Sequence, residues 1–151
     1  MDISDFLKVV SEESFLEYPL DPGKVDIHEI MNISDTKTLK SLCAHSVSLK
    51  KLALTKAWLP NNTRQEVLGK VDVLNRFIAD LRKHTCYCTR YKYLSPDPMW
   101  EQDDQRIEIE KFLNYEKLSE YKCRCKNCSK QFVVAWGQDS MGYDDYQWKE
   151  N

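Results

Sequence analysis

Five of the six cysteines fall in two short clusters, and this pattern constrains the fold more than any other feature of the sequence. The first cluster is Cys86-Tyr87-Cys88, and the second contains Cys123, Cys125 and Cys128. In a reducing compartment disulfides rarely persist, and clustered thiols more often bind a metal ion. A closed structural zinc site needs four ligands, usually two pairs from short loops or strand ends. The two clusters therefore predict one structural zinc ion.

The spacing within each cluster indicates which thiols bind this ion. Two residues separate Cys125 from Cys128, and this gap lets a tight turn point both sulfur atoms inward. One residue separates Cys86 from Cys88, and side chains at that spacing on an extended strand share a face. The predicted zinc ligands are therefore Cys86, Cys88, Cys125 and Cys128.

Two other side chains compete for places in this ligand set. Cys123 has the same spacing to Cys125 as Cys86 has to Cys88, and could replace Cys125. His84 lies two residues before Cys86 and could supply a ring nitrogen. Both replacements stay open. The sixth cysteine, Cys43, stands alone in a helical segment, where packing is the usual role of a cysteine, and we assign it no function.

The sequence gives little support to an enzyme. A thioredoxin-like pair begins a helix, whose dipole lowers the pKa of the nucleophile, but a strand is expected after Cys128. A catalytic zinc keeps one coordination position open and needs a nearby acid or base. The three histidines are scattered, and no Gly-rich phosphate loop or nucleophile elbow occurs. We therefore expect no catalytic activity, and a metal-dependent hydrolase is the weakest hypothesis.

A chain of 151 residues is long enough for one compact domain, and we expect the α+β class with four regions. An acidic lead-in with a short helix over 4–18 occupies 1–33, and an antiparallel helical hairpin occupies 34–84. A zinc-binding β lobe with an inserted helix covers 85–138, and an acidic, aromatic tail covers 139–151. The expected architecture is a helical hairpin packed with a small zinc-ribbon-like antiparallel β lobe.

Two apolar patterns predict the hairpin. Ser34 and Asp35 form a helix start, and the first helix is expected to run to Trp58 before Pro60 ends it. A short connection follows, which makes the two helices antiparallel neighbours. The second helix has apolar residues at steps of four and three, typical of one buried face: Val67, Val71, Leu74, Ile78 and Leu81.

The β lobe is predicted from shorter patterns. Residues 87–94 alternate with a period of two, which predicts a strand. A helix is expected over 103–120, although the alternation in 106–110 argues weakly for a strand instead. Two further strands are expected at 121–124 and 131–136, joined by the turn that carries the second cysteine cluster.

The most favoured function is that of a non-catalytic, zinc-stabilised protein-interaction subunit, an adaptor or regulatory component of a larger assembly. The tail supplies the candidate partner-binding residues Tyr143, Tyr146 and Trp148, since tyrosine and tryptophan bury much area at low entropic cost. The alternative for these residues is that the tail packs back on its own β lobe.

Nucleic-acid binding is the second hypothesis. Arg90, Lys92, Arg124 and Lys126 could contact phosphates, with tyrosines beside the first two available for base stacking. The formal net charge of −2 argues against it, as does the spread of basic residues around the helices. Protein partners are therefore preferred, and nucleic acid is kept as the alternative.

The compartment is inferred from what the sequence lacks. No apolar stretch approaches the roughly 18 residues of a membrane span, and the acidic start is unlike a signal peptide. We expect a soluble protein with no membrane contact, in the nucleus or the cytoplasm, with the nucleus preferred. The reducing environment of both compartments agrees with clustered thiols that bind metal.

Overall fold

A computed structural model describes residues 27–44, 61–116 and 118–151. The chain divides into two compact units, Met1–Thr89 and Arg90–Asn151. Within the described residues the first unit is helical, and the second contains a four-stranded antiparallel sheet with short helices. The predicted α+β class is therefore confirmed. None of the described helices combines the length and the apolar character that crossing a membrane requires.

The first unit begins with two short helices, α1 (Ile27–Met31) and α2 (Thr36–Cys43). Asp35 caps α2, in agreement with the predicted helix start. Its carboxylate accepts hydrogen bonds from the side-chain Oγ1 of Thr38 at 2.6 Å and from the backbone N at 2.7 Å. These two bonds, the hydroxyl bond first, hold the pKa of the Asp35 carboxyl below its ordinary value.

The long helix α3 (Asn61–Lys83) buries the part of the predicted apolar face whose side chains the structure describes. The side chains of Leu74, Ile78 and Leu81 are fully buried, and Phe77 joins them. Arg82 ties this helix to the end of α2, since its Nε and Nη2 donate to the Cys43 carbonyl at 2.9 and 2.7 Å. The buried apolar side chains of α1 and α2 are Ile30, Met31, Leu39 and Leu42.

Part of the predicted hairpin lies outside the described residues. The described residues do not include 45–60, which hold the rest of the first predicted helix. They also do not include 4–18, where a short helix is predicted. The second helix already begins at Asn61, so Asn61 and Asn62 belong to α3 and not to a connection. The antiparallel hairpin over 34–84 stays a prediction.

The strand predicted over 87–94 is wrong. A 3₁₀ helix covers Tyr87–Arg90, and the short helix α4 covers Tyr91–Leu94. Tyr87 and Tyr91 are both buried, and a separation of four residues aligns side chains on a helical turn as well as on a strand. The alternating tyrosines therefore could not distinguish the two structures.

The second unit continues with α5 (Pro98–Asp103), which begins at its N-cap Asp97. Four strands follow in chain order and form one antiparallel sheet in which each strand pairs with the next. The strands are β1 (Ile107–Tyr115), β2 (Leu118–Cys125), β3 (Gln131–Gln138) and β4 (Asp144–Glu150). The strands predicted at 121–124 and 131–136 are confirmed as parts of β2 and β3.

The helix predicted over 103–120 is wrong, because β1 and the start of β2 occupy this stretch. The weaker alternative, a strand at 106–110, is right from Ile107 onward. Ile107 is fully buried and Ile109 half-buried, whereas the glutamates between and after them are exposed. This two-residue alternation is the local signal of the strand.

The tail predicted over 139–151 contains the strand β4, which packs onto the core of the second unit. The ring centroid of Trp148 lies 4.2 Å from that of Tyr91 and 5.6 Å from that of Phe132. Trp148 Nε1 also donates to the Pro96 carbonyl at 2.8 Å. Tyr91, from the chain segment that precedes the sheet, therefore packs on the rings of Phe132 and Trp148 on one sheet face.

Candidate metal centre

The segment after α3 positions one histidine and two cysteines by local hydrogen bonds. The His84 N–H still donates to the Asp80 carbonyl at 2.9 Å, which continues the helix by one residue. The His84 carbonyl then accepts bonds from the Cys86 N–H at 2.9 Å and from Thr89 Oγ1 at 2.8 Å. These bonds wind the chain into a tight turn, so that His84 Nε2 lies 3.7 Å from the Cys88 sulfur.

The connection between β2 and β3 positions Cys128. The Ser129 N–H donates to the Cys125 carbonyl at 2.9 Å, and the Cys125 N–H donates to the Lys130 carbonyl at 2.9 Å. Ser129 adopts the left-handed conformation, with a φ of 63°, which reverses the chain after Cys128. The result is the tight cysteine-bearing turn that the two-residue gap predicts.

Four side chains come together as a group that could hold a metal ion: His84, Cys86, Cys88 and Cys128. Each offers one ligand atom, and these four atoms all lie within 4.8 Å of one another. Cys86 and Cys88 are buried, whereas His84 and Cys128 are half-buried. Three thiols and one imidazole form a donor set that is common in structural zinc sites.

One separation within this group already matches the edge of a tetrahedral zinc site. A tetrahedron with zinc–sulfur bonds of about 2.3 Å and a zinc–nitrogen bond of about 2.0 Å has edges of roughly 3.5–3.8 Å. The distance of 3.7 Å between His84 Nε2 and the Cys88 sulfur falls within this range. The upper limit of 4.8 Å for the group leaves only small movements to bring all four atoms to bonding distance.

The structure brings together three of the four predicted ligands, Cys86, Cys88 and Cys128, and adds His84. Cys125 lies outside this group and is fully buried in β2, opposite Ile107. His84 had entered the sequence argument only by its nearness to Cys86. The stronger signal was its four-residue separation from Cys88. Such residues come into contact on a tight turn, whereas on a strand they share a face but lie about 13 Å apart.

Cys123, the reserve ligand, lies outside the group as well and is buried in β2 opposite Phe132. Burial first, and the carboxylate of Glu110 second, raise the pKa of this thiol to about 12 from an ordinary value of 9.0. We therefore expect Cys123 in the folded protein to be alkylated by iodoacetamide much more slowly than the half-buried Cys43, as measured by peptide mass spectrometry at pH 8.

The raised pKa of Cys123 also makes the free energy of unfolding depend on pH. The unfolded chain ionises Cys123 near pH 9.0, whereas the folded chain keeps the thiol protonated to about pH 12. The stabilisation is therefore complete below the unfolded value and is lost as the pH rises between these two values. Equal alkylation of Cys123 and Cys43 in the folded protein would contradict this assignment.

All four residues proposed for nucleic-acid contacts make contacts within the protein. Arg90 is fully buried, and its Nη2 donates to both carboxylate oxygens of Glu101 at 2.8 and 3.1 Å. Arg124 pairs with two glutamates of β1 at 2.8 and 3.0 Å. Lys126 donates to a glutamine side chain before β1 at 2.8 Å, and Lys92 is exposed above a tyrosine ring. These contacts weaken the nucleic-acid hypothesis.

The three residues proposed for partner binding differ in exposure. Trp148 is only 8% exposed and belongs to the core. Tyr146 is half-buried, and its hydroxyl donates to Asp97 Oδ2 at 3.0 Å. Tyr143 is 67% exposed. For Trp148 and Tyr146 the structure therefore shows the alternative arrangement, in which the tail packs on its own β lobe.

The chain was compared with protein-family models, with curated protein sequences and with solved structures. None of the three comparisons finds a match. The functional argument therefore rests on the residues themselves.

Proposed function

We propose that this chain is a zinc-stabilised protein-interaction module without catalytic activity, and that it serves as an adaptor or regulatory component of a larger assembly in the nucleus or the cytoplasm. The observation that carries the proposal is the convergence of three thiols and one imidazole within 4.8 Å of one another. One zinc ion bound to His84, Cys86, Cys88 and Cys128 would join these turns into a rigid site.

The chemistry of the ligand atoms supports zinc over other metals. Thiolates are soft ligands and imidazole is borderline, a mixture that suits zinc, whereas calcium and magnesium require oxygen ligands. The group contains no carboxylate. All six cysteines lie outside disulfides, which agrees with a reducing compartment where such a site is stable.

The same ligand set supports a structural role for the ion. A catalytic zinc is usually held by three protein ligands and keeps its fourth position for water or substrate. Here four protein side chains would fill a tetrahedral coordination sphere. The ion would then have no position at which to activate a substrate, and its contribution would be to folding stability.

Exposed apolar side chains of the second unit support the interaction role. Aromatic residues and methionine are enriched at protein interfaces relative to the rest of a protein surface. In the described residues the large exposed apolar side chains are Met99, Trp100, Phe112, Tyr115, Trp136, Met141 and Tyr143.

The test of the metal proposal is elemental mass spectrometry on protein purified without added metal. We expect one zinc per chain, and we expect the separate replacements His84→Ala, Cys86→Ser, Cys88→Ser and Cys128→Ser each to abolish stoichiometric binding. Cys43→Ser is the matched control, because Cys43 lies outside both clusters, and it should keep the zinc.

Replacement of Cys125 separates the two candidate ligand sets. If His84 is the fourth ligand, Cys125→Ser should retain one metal ion and His84→Ala should lose it. Cobalt substitution gives an independent reading, since the sulfur-to-cobalt charge-transfer band grows with the number of thiolates bound. Native protein that contains no metal would refute the zinc site. If Cys125→Ser loses the metal and His84→Ala keeps it, the all-cysteine ligand set would be favoured.

A further inference from the structure

One face of the sheet carries aromatic side chains that the rest of the second unit leaves partly uncovered. Residues directly opposite one another on antiparallel strands share a face. Phe112 pairs with Tyr121 across β1 and β2, and Trp136 pairs with Tyr146 across β3 and β4. We call these four residues the aromatic strip. Tyr121 stands opposite Val134, two residues from Trp136, so the two pairs lie on the same face.

The aromatic strip lies beyond the covered part of this face. Val134 and Trp148, on the same face, are buried, whereas Phe112 is 48% exposed and Trp136 is 37% exposed. The rings of Phe112 and Tyr121 pack together with centroids 4.7 Å apart. The strip is therefore an ordered aromatic surface.

Two carboxylates accept hydrogen bonds from the polar groups of the aromatic strip. Asp97 Oδ2 accepts the hydrogen bond of the Tyr146 hydroxyl at 3.0 Å, and Asp144 Oδ1 accepts that of Trp136 Nε1 at 3.1 Å. Burial first, and then Asp97, Cys123 and Asp144 in that order, raise the pKa of the Tyr121 hydroxyl. The pKa of Tyr146 is also raised, by burial and then by its bond to Asp97. These two bonds place a negative charge beside the Tyr146 hydroxyl and another beside the Trp136 indole.

Among the described residues of the four strands, no basic side chain lies on this face of the sheet. The pairing places every lysine and arginine of the four strands on the opposite face: Lys111, Lys122, Arg124 and Lys149. Glu108 and Glu110, which pair with Arg124, belong to that other face too. The face with the aromatic strip thus combines exposed rings with negative charge and no basic residue on its strands.

We propose that the aromatic strip binds a cationic segment of a partner protein, with a lysine or arginine side chain over the rings and its charge toward Asp97 and Asp144. Aromatic faces attract cations through their quadrupole, and the stem of a lysine or arginine packs on the same rings. The inference rests on the proposed interaction role and names the surface and the chemistry of the partner.

The test uses a defined probe in place of the unidentified partner. The probe is a fluorescein-labelled peptide of arginine and lysine residues spaced by glycine and serine, titrated with the zinc-loaded full chain and followed by fluorescence anisotropy. Peptides with citrulline and norleucine in place of arginine and lysine, and with glutamate at the same positions, serve as controls. Binding of the cationic peptide alone is expected, with amide shifts in NMR spectra confined to the aromatic strip.

Variants localise the binding. Trp136→Ala should weaken peptide binding by between about twofold and thirtyfold, the range that cation–π contacts span, and Asp144→Asn should weaken it as well. Tyr115→Ala is the matched control, because Tyr115 is 57% exposed but lies on the opposite face of the sheet. This variant should bind the peptide as tightly as the native chain does. Phe112→Ala repeats the test should Trp136→Ala fail to fold.

Each outcome decides between the proposals. Equal binding of the neutral or acidic peptides, or equal loss with Tyr115→Ala, would overturn the cationic-segment proposal. So would concentration-dependent dimerisation in sedimentation that Trp136→Ala abolishes, since a second copy would then cover the aromatic strip. A co-purifying protein whose capture survives Trp136→Ala would preserve the interaction role and refute this surface, whereas a folded, zinc-loaded chain that captures no protein and binds no peptide would refute both.

Discussion

Replacement of Cys128 with serine is expected to remove the zinc ion and to unfold the second unit at temperatures where the native protein is folded. Structural zinc in small domains has an apparent binding free energy of about 10–16 kcal/mol, as large as the whole stability of about 5–15 kcal/mol of a typical domain. Serine keeps the size of the side chain but supplies no thiolate. The loss should therefore come from the missing bond to the metal.

Tryptophan signals measure this loss in the second unit. Three of the four tryptophans, Trp100, Trp136 and Trp148, lie there, so near-ultraviolet circular dichroism mainly follows its packing during thermal unfolding. We expect a large fall in the midpoint for Cys128→Ser, a similar fall when a chelator is added to the native chain, and no fall for Cys43→Ser. The helical signal of α3 should persist to a large extent. An unchanged midpoint in Cys128→Ser would rule out a structural zinc.

The sequence predicted the parts of the structure that depend on local pattern. The buried face of α3 follows from apolar steps of three and four, and Leu74, Ile78 and Leu81 are buried as expected. The strands around the second cysteine cluster were predicted because apolar residues flank a compact turn. The metal group also follows partly from spacing, since Cys86, Cys88 and Cys128 belong to both the predicted and the observed sets.

The remaining features depend on contacts that local pattern does not encode. His84 comes near Cys88 because hydrogen bonds to the His84 carbonyl wind the chain into a tight turn, whereas the alternating tyrosines were consistent with a strand. Trp148 is buried by Tyr91, more than fifty residues earlier in the chain, so the fate of the tail could not be inferred from its composition. Arg90 was assigned to the surface because a sequence gives no sign that a distant glutamate neutralises it.

Replacement of Glu101 is expected to produce the second large loss of stability. Glu101 is 4% exposed, and its carboxylate accepts hydrogen bonds from the buried Arg90, from the Tyr91 hydroxyl at 2.9 Å and from Arg106 at 3.1 Å. This carboxylate is the ion-pair partner of Arg90, a fully buried cation, at 2.8 Å. Removal of one member of a buried ion pair costs about 3–5 kcal/mol, because the other charge is left without compensation in the interior.

The replacement Glu101→Gln isolates the charge, since glutamine keeps the shape of the side chain. We expect it to lower the free energy of unfolding by about 3–5 kcal/mol, measured by urea denaturation with tryptophan fluorescence. Asp104→Asn is the matched control. Asp104 also pairs with Arg106, at 2.8 Å, but its side chain is 59% exposed, and an exposed pair contributes less than about 1 kcal/mol.

Ionisation of the Tyr91 hydroxyl, which donates to Glu101, gives a second measurement of the Glu101 charge. Burial first, and the Glu101 carboxylate second, raise the pKa of Tyr91 well above its ordinary value of 10.0. The folded chain therefore keeps the phenol protonated, and the stability of the native protein should fall as the pH rises above about 10, where the unfolded chain ionises. With the Glu101 charge gone, the pKa of Tyr91 should fall, and ultraviolet titration should detect phenolate at lower pH in Glu101→Gln than in the native chain.

Equal losses of stability for Glu101→Gln and Asp104→Asn would show that the pair with Arg90 contributes no more than a surface contact.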